Sequence, residues 1–217
     1  MENTYDIGVV GGGSGGFGAA VAAARHGARV LLIEAGTGLG GTSTWAGVNN
    51  YEPVAGATGL PQEIYDRLRE IPKAVVLQQR AEAYSRERPW GRYDCATETD
   101  YRLSLSRKSG VPITFEPEIL NTIMIEMVRS SGADLELKTR FTDVDCRDGH
   151  IHQIAIEGSE GPATIQADVF IDATADIYLA RASGCPSAIG PESSDVYNEP
   201  SAPEIPEQIL NNASLCY

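Results

Sequence analysis

Three glycines near the start of the chain have the spacing of a phosphate-binding turn. Gly11, Gly13 and Gly16 form the pattern GxGxxG. The first glycine allows a sharp turn, the second leaves no side chain between the backbone and a diphosphate, and the third lets a helix lie close to a sheet. Glu34 lies about 20 residues after this turn. In dinucleotide-binding folds, an acidic side chain at this distance accepts hydrogen bonds from a ribose. These residues predict a site for a dinucleotide whose adenosine ribose carries no 2′-phosphate.

The segments around these residues are those that the motif requires. Ile7 to Val10 is a short, apolar run, as in a buried parallel strand. Phe17 to Ala24 is rich in alanine and predicts a helix, which Gly27 ends, and Arg29 to Ile33 predicts a second strand. The N-terminus of this helix would offer N–H donors and a partial positive charge to the phosphates.

A second cluster of glycines follows Glu34 directly. It comprises Gly36, Gly38, Gly40 and Gly41 and runs into Thr42-Ser43-Thr44-Trp45-Ala46-Gly47. A connector needs only one or two glycines, so this density predicts backbone that packs closely against a ligand. The hydroxyl groups could donate to phosphate or ribityl oxygens, and the tryptophan could cover an aromatic ring.

The combination of VVGGGSGGFGAA, LLIE and GLGGTSTWAG resembles the FAD-binding half of the glutathione-reductase-type flavoproteins, within the broad family of FAD-dependent oxidoreductases. The resemblance covers residues 5–50 well. It implies FAD as the cofactor, with the GxGxxG glycines at the pyrophosphate and Glu34 at the adenosine ribose. It also implies that residues 40–42 line the pyrophosphate and ribityl chain and that residues 44–47 approach the isoalloxazine.

The middle of the chain predicts an insertion. Pro61 can open a helix that carries Ile64, Tyr65 and Leu68, and a second helical stretch is expected from about Lys73 to Arg88. Residues 89–112 show no clear periodicity. We predict that residues 51–114 are a helical insertion, part of a substrate or cap lobe.

Residues 115–166 predict a helix followed by a β-meander. Glu116-Pro117 opens an amphipathic helix that ends at Gly132, and a strand is expected from Asp134 to Leu137. Three short antiparallel strands follow, over residues 140–145, 150–157 and 163–166, with the first turn at Asp148-Gly149. The resemblance implies that the backbone of Phe141 contacts adenine. His150 and His152 alternate on one strand, and an exposed sheet face is favoured over a metal site.

The segment ADVFIDATADIYLARASG resembles the strand of the same family that ends in "DATGD" and closes over the pyrophosphate, with Ala175 in place of glycine. It predicts a buried strand at Val169 to Ile171 and a helix up to Gly184. Asp172 and Asp176 are expected to cap turns rather than to act as a catalytic pair. With this segment, the resemblance implies cofactor-binding roles for Gly11, Gly13, Ser14, Gly15, Gly16, Glu34, Ala35, Gly40, Gly41, Thr42, Thr44, Trp45, Gly47, Phe141, Ala173, Thr174 and Ala175.

The last segment is polar and rich in proline. Residues 191–217 are expected to form a loop with a short helix at Glu207 to Leu210, leading into a truncated substrate-domain strand at Ser214 to Tyr217. The chain contains no Gly-Asp dipeptide, which relatives use to bind the ribityl chain. We therefore expect the N-terminal portion of a larger flavoenzyme, in which residues 1–50 and 115–190 form a Rossmann-like α/β FAD-binding domain: a parallel sheet with an antiparallel meander.

Composition and charge narrow the classes of partner. The net charge of −13 disfavours nucleic acid and anionic membrane surfaces. The four cysteines form no CxxC, which excludes a local iron–sulfur or zinc cassette. The first residues lack the features of a signal peptide, and no apolar stretch is long enough to span a bilayer. The sequence thus predicts a cytoplasmic protein that acts on a small molecule, as a possible homo-oligomer or with a partner subunit.

Three functions stay open at this point. The first is an FAD-dependent oxidoreductase, or the FAD-binding portion of one, that transfers a hydride or electron pair. The second is an NAD-dependent dehydrogenase, since Glu34 suits NAD equally well. The third is a non-catalytic FAD-binding or nucleotide-binding subunit of a split complex. No histidine falls near the expected flavin position, so the catalytic residues are unknown; Asn49 and Tyr51 are weak candidates for substrate contact.

Overall fold

The computed structural model describes residues 4–55, 58–77 and 111–210, which form a mixed α/β fold. The strands within this part of the chain are β1 (Thr4–Val10), β2 (Val30–Ile33), β3 (Asn50–Ala55), β4 (Val75–Leu77), β5 (Val111–Phe115), β6 (Asp134–Glu136), β7 (Arg140–Arg147), β8 (His150–Gly158) and β9 (Gly161–Asp172). The helices are α1 (Ser14–Arg25), α2 (Thr42–Trp45), α3 (Gly59–Arg69), α4 (Pro117–Ser131), α5 (Tyr178–Ala182) and α6 (Ser194–Tyr197).

The larger sheet joins the two motifs of the sequence. Its strand order is β6-β2-β1-β9-β8-β7. The first four strands are parallel where they pair, and β1 lies between β2 and β9, with Ile7 opposite both Val30 and Val169. Strands β7, β8 and the start of β9 are antiparallel. The predicted Rossmann-like parallel sheet with an antiparallel meander is therefore confirmed.

Strand β9 differs from the prediction because it is one long strand instead of two. Its first part pairs with β8 up to Ile165, and its second part, from Gln166 to Asp172, pairs with β1. Within the described part of the chain, no strand covers the other side of that second part. The prediction that Val169 is buried is therefore wrong, since 53% of this residue is exposed.

The parallel strands bury side chains on both faces, because successive side chains of a strand point to opposite sides. Val9 and Leu32 belong to one core, and Val10, Leu31 and Ile33 belong to the other. The first core includes Phe17 of α1 and the apolar face of α4, in which Met124 and Met127 are fully buried. Helix α4 ends at Gly132, as predicted, and the φ of 90° at this glycine gives a left-handed cap.

A smaller sheet has the strand order β3-β5-β4 and packs with α3 against the first core. The prediction of a helix from about Lys73 is wrong for Val75–Leu77, which is β4. Lys73 has a φ of 66°, which breaks a right-handed helix, and the strand that follows pairs with β5. The rest of that predicted helix, up to Arg88, lies outside the described residues.

The helix expected at Glu207 to Leu210 is absent from the structure. The backbone N–H of Glu207 donates to the carbonyl of Pro191, so this segment crosses a neighbouring loop and does not form helical hydrogen bonds. The strand expected at Ser214 to Tyr217 lies outside the described residues. Among the helices that the structure describes, none is long and apolar enough to cross a membrane.

Candidate cofactor site

A cavity of about 820 Å³ opens at the carboxyl ends of β1, β2 and β9, where open α/β sheets bind their ligands. Its volume lies in the usual range of small-molecule sites. Two glycine loops, the start of β7 and the turn after β9 form its wall. The lining residues are Val10, Gly11, Gly12, Gly13, Ser14, Gly15, Ile33, Glu34, Ala35, Gly40, Gly41, Thr42, Thr139, Arg140, Phe141, Thr142, Ala173, Thr174, Ala175 and Tyr178.

The three glycines of the first loop have different surroundings. A Cβ on Gly11, which has a φ of 104°, would lie 2.5 Å from the carbonyl oxygen of Ala173. A Cβ on Gly16 would overlap the carbonyl oxygen of Gly11. A Cβ on Gly13 would meet nothing within 4 Å. Gly11 and Gly16 are therefore required by the protein's own packing, whereas the open side of Gly13 faces the cavity that it lines.

Helix α1 begins at this open side. Its N-cap is Gly13, which has no side chain to cap the first N–H groups, and Ser14 and Gly15 also line the cavity. The first N–H groups of a helix lack acceptors within the helix and carry a partial positive charge. The loop can therefore bind a diphosphate through backbone donors, at a point where no side chain stands in the way.

Glu34 links the two glycine loops. Its Oε2 accepts a hydrogen bond from the N–H of Gly12 at 2.6 Å, and its Oε1 accepts one from the N–H of Gly36 at 2.6 Å. A carboxylate has about four lone-pair positions, so each oxygen can still accept one further hydrogen bond. Glu34 thus holds the loops together and can also bind ribose hydroxyls from the cavity.

The second loop lies directly against the first. The N–H of Gly40 donates to the carbonyl of Gly12 at 2.9 Å, and a Cβ on Gly41 would lie 3.2 Å from the Cα of Gly13. The hydroxyl of Thr44 donates to the carbonyl of Leu39 at 2.6 Å. The many glycines of this loop predicted that its backbone packs closely against a ligand. Some of these glycines are instead explained by the close packing of one loop against the other.

The start of β7 forms the far end of the cavity. Thr139, Arg140, Phe141 and Thr142 all line it. Arg140 is paired with Glu157 of β8 through its Nη2 and, at 3.1 Å, through its Nε. The backbone here is held by the β7–β8 ladder, which pairs Phe141 with Ile156, at the point where the resemblance implies an adenine contact.

The turn after β9 is closed by hydrogen bonds. Asp172 accepts from the N–H of Thr174 at 2.9 Å and from the N–H of Ala180 at 2.8 Å. Tyr178 lines the cavity, and its hydroxyl donates to Asp176 at 3.0 Å, which raises the pKa of this tyrosine. Asp172 therefore supports the turn and the first turn of α5, as predicted, while Asp176 bonds a side chain on the cavity rim.

The structure brings most of the predicted residues together. Gly16 and Thr44 lie behind the wall, where they support the two loops. Trp45 and Gly47 do not line this cavity, and 60% of Trp45 is exposed. The cavity as described thus corresponds to the dinucleotide end of the predicted site, and contact of residues 44–47 with an isoalloxazine stays a prediction.

Sequence reasoning did not identify seven of the lining residues: Val10, Gly12, Ile33, Thr139, Arg140, Thr142 and Tyr178. Val10, Gly12 and Ile33 adjoin predicted residues at the ends of β1 and β2. They could have been found from the rule that open α/β sheets bind ligands at the carboxyl ends of their strands. Tyr178 gave no signal, because only the turn after β9 brings it back to the cavity.

The other candidates do not line the cavity, but the hydroxyl of Tyr51 lies 3.5 Å from the hydroxyl of Ser14, which does. The Nδ2 group of Asn49 donates to the carbonyl of Phe115 at 3.2 Å, and the ring of Tyr51 packs on Phe115 with centroids 4.8 Å apart. His150 and His152 are exposed on β8. In the part of the chain that the structure describes, no group of three or more histidine, cysteine or acidic side chains could hold a metal ion.

The family described as "FAD dependent oxidoreductase" matches residues 6–215. The chain belongs to this family. FAD is therefore its cofactor, as predicted, and the cavity fits that cofactor because an open glycine, a helix N-terminus and a carboxylate with free lone pairs lie along one wall. The narrower glutathione-reductase-type assignment stays a prediction.

Members and neighbours of the family show how far the likeness extends. The chain is 29% identical over 193 residues to digeranylgeranylglycerophospholipid reductase of Methanoculleus marisnigri, which covers 87% of this chain and 43% of that protein. It is 55% identical over 42 residues to glutathione reductase of Schizosaccharomyces pombe. This match covers 19% of this chain and 9% of that protein. The chain thus spans less than half of the length of these curated relatives.

Solved structures support the fold. The flavin-dependent monooxygenase PieE, solved in complex with FAD and substrate, matches with a TM-score of 0.59 at 19% sequence identity. The match covers 88% of this chain and 34% of PieE. At this level of identity the likeness establishes the FAD-binding fold.

Proposed function

We propose that this chain is an FAD-binding oxidoreductase, or the FAD-binding portion of one, that passes a hydride or electron pair between a small-molecule substrate and flavin. The observation that carries the proposal is the shared wall of the cavity, in which two glycine loops are joined through Glu34. Bound flavin would supply the redox chemistry, and the protein would supply position, polarity and access.

The residues of the cavity divide the work of binding FAD. The N–H groups at the start of α1 would hold the diphosphate, with Gly13 leaving it room. The free lone pairs of Glu34 would bind the ribose hydroxyls, and a 2′-phosphate would be repelled there. The backbone near Phe141 would contact adenine, and the turn at Ala173–Ala175 would close over the diphosphate, with the methyl group of Ala175 exposed rather than packed inward.

An NAD-dependent dehydrogenase is disfavoured by the same cavity. A nicotinamide-binding Rossmann unit needs neither the second glycine loop nor the meander, and both contribute wall residues here. Membership of an FAD family supports the same choice. A non-catalytic FAD-binding subunit is the second candidate. It is motivated by the lack of a Gly-Asp dipeptide in the sequence and by Ala175 in place of a glycine in the turn after β9.

We further propose a cytoplasmic location and a need for additional protein to complete the catalytic site, supplied by the same polypeptide, a partner subunit or a second copy. The free thiols of Cys146 and Cys185 support a reducing compartment. The exposure of Trp45 supports a missing cover at the flavin end.

Purification of the full chain followed by mass spectrometry of the cofactor released on denaturation tests the proposal. We expect a yellow protein that releases FAD, and apoprotein that binds FAD but not NAD⁺ in a calorimetric titration. A colourless protein that binds NADH and not FAD would refute it. Anaerobic reduction of the bound flavin by NADH or NADPH, followed by reoxidation in air, would separate an enzyme from a non-catalytic subunit.

A further inference from the structure

Helix α4 carries one polar side chain beneath the second glycine loop. Asn121 lies between Leu120 and Ile123, two residues of the buried face of this helix. Its Oδ1 accepts a hydrogen bond from the N–H of Leu39 at 2.8 Å. Leu39 is fully buried, so its N–H has no access to water and needs an acceptor from the protein.

Asn121 and Gly38 form a matched pair. A Cβ on Gly38 would overlap Oδ1 of Asn121 and would lie 2.8 Å from both Cγ and Nδ2. Gly38 is not among the residues with positive φ, so its backbone does not require glycine. The amide of Asn121 is therefore the feature that excludes a larger residue at position 38.

The contact reaches the cofactor cavity within two residues. Leu39 is followed by Gly40, whose N–H donates to the carbonyl of Gly12, and both Gly40 and Gly12 line the cavity. The carbonyl of Leu39 accepts from Thr44. Asn121 thus binds the N–H of Leu39, and Thr44 binds its carbonyl group. The next residue, Gly40, belongs to the cavity wall.

We propose that Asn121 is a positioning residue for FAD, which holds the second glycine loop against the first in the conformation that receives the cofactor. The inference rests on the proposed function, because it assumes that the cavity binds FAD. When the acceptor is removed, the N–H of Leu39 is satisfied only if the loop opens to water. Binding must then close the loop again over an unpaired donor.

The test compares the full chain with Asn121→Leu and Asn121→Asp. Leucine removes the acceptor at similar volume, whereas aspartate has nearly the shape of asparagine and keeps an acceptor for the N–H of Leu39. We expect the FAD dissociation constant to rise about tenfold in Asn121→Leu, the equivalent of one unpaired buried donor, and to stay within about threefold of the parent in Asn121→Asp. Thr122→Ala, which alters the adjacent exposed side chain of the same helix, should leave binding unchanged.

A double-mutant cycle gives a second readout. Gly38→Ala should weaken FAD binding by displacing the amide, while Gly38→Ala combined with Asn121→Ala should bind no more weakly than Asn121→Ala alone, because the smaller side chain leaves room for the methyl group. Additive effects would overturn the pairing of these two residues. The cycle also keeps the inference testable if Asn121→Leu does not fold.

Melting temperatures measured in parallel separate positioning from general stability. If Asn121→Leu lowers the melting temperature but binds FAD as tightly as the parent at a temperature where both are folded, the residue is structural and the inference fails. If the parent itself does not bind FAD, the proposed function fails first and the inference fails with it. Parent binding together with unchanged binding in Asn121→Leu overturns the inference alone.

Discussion

The glycines of the GxGxxG turn should separate into those that the fold requires and one that the ligand requires. In Gly16→Ala the new methyl group would overlap the carbonyl of Gly11 and lie 3.1 Å from the Cβ of Ala173. Neither group can rotate away. Overpacking against backbone costs up to about 3 kcal/mol, of which the higher helix propensity of alanine offsets about 1 kcal/mol. We expect apoprotein destabilised by about 2 kcal/mol.

Gly13→Ala should behave differently. Its φ of −66° and ψ of −176° suit any residue, and a methyl group would meet no protein atom within 4 Å. Alanine is a poorer N-cap than glycine, so the apoprotein should lose less than about 1 kcal/mol. The methyl group would stand where the diphosphate approaches, and we expect FAD binding to weaken about a hundredfold, or about 3 kcal/mol.

Two measurements check this separation: urea unfolding of the apoprotein followed by circular dichroism, and FAD titration followed by quenching of flavin fluorescence. Gly18→Ala is the matched control, because Gly18 lies in the same helix, has open space around it and does not line the cavity. It should stabilise the apoprotein slightly and bind FAD as the parent does. Equal destabilisation of the apoprotein by Gly13→Ala and Gly16→Ala, or FAD binding by Gly13→Ala as tight as that of the parent, would show that the two glycines do not differ in this way.

Three further predictions concern single contacts. Glu34→Gln places an NH₂ group opposite one of two backbone N–H donors, and should cost the apoprotein about 1–3 kcal/mol and also weaken FAD binding. Glu63→Gln removes the carboxylate that pairs with Arg25. The hydrogen bond from Arg25 lowers the pKa of Glu63, so the pair stabilises the fold above pH 4.5 and this stabilisation is lost as the pH falls through the lowered pKa of the folded state. At pH 7 the substitution should cost less than about 1 kcal/mol. Gly149→Ala forces a side chain to a φ of 74° in the β7–β8 turn and should cost about 1–2 kcal/mol with FAD affinity unchanged.

Unfolding curves at several pH values and the same FAD titration decide these cases. Glu34→Gln apoprotein as stable as the parent would show that the carboxylate does not join the loops. For Glu63→Gln, the difference from the parent should vanish in acid, and a difference that grows as the pH falls contradicts the assigned sign. An unchanged stability of Gly149→Ala would mean that the turn tolerates alanine in the left-handed region.

Local patterns predicted the elements that carry the site. The strand, turn and helix around Gly11 to Gly16 depend on neighbouring residues, and so does the cap of α4 at Gly132. The predictions of secondary structure failed where contacts with residues distant in the sequence determine the local conformation. Val75–Leu77 became a strand because β5 lies beside it, and Glu207 lost its helix to a contact with Pro191. These partners are far away in sequence, and periodicity does not report them.

The residues of the site divide in the same way, into those that a local pattern reveals and those that a distant element contributes. Residues that approach a ligand through glycine were found, because glycines at this fixed interval between a strand and a helix are typical of a phosphate-binding turn. Residues that contribute one side chain from a remote element, such as Tyr178 and Arg140, were missed. Asn121 left only a weak signal, a single amide on the apolar face of a helix. Its role becomes visible only when the buried N–H of Leu39 lies above it.

The position of β1 between β2 and β9 has a consequence for synthesis of the chain in the cell. Strand β1 is synthesised well before its partner strand, since Thr4 pairs with Gln166, about 160 residues later in the chain. At typical elongation rates of about 5–20 residues per second, this edge of the central strand stays unpaired for roughly 10–30 s. During that time an apolar strand is available to chaperones and to other nascent chains, so the yield of folded protein should depend on translation speed and on chaperone supply more than on the stability of the finished fold.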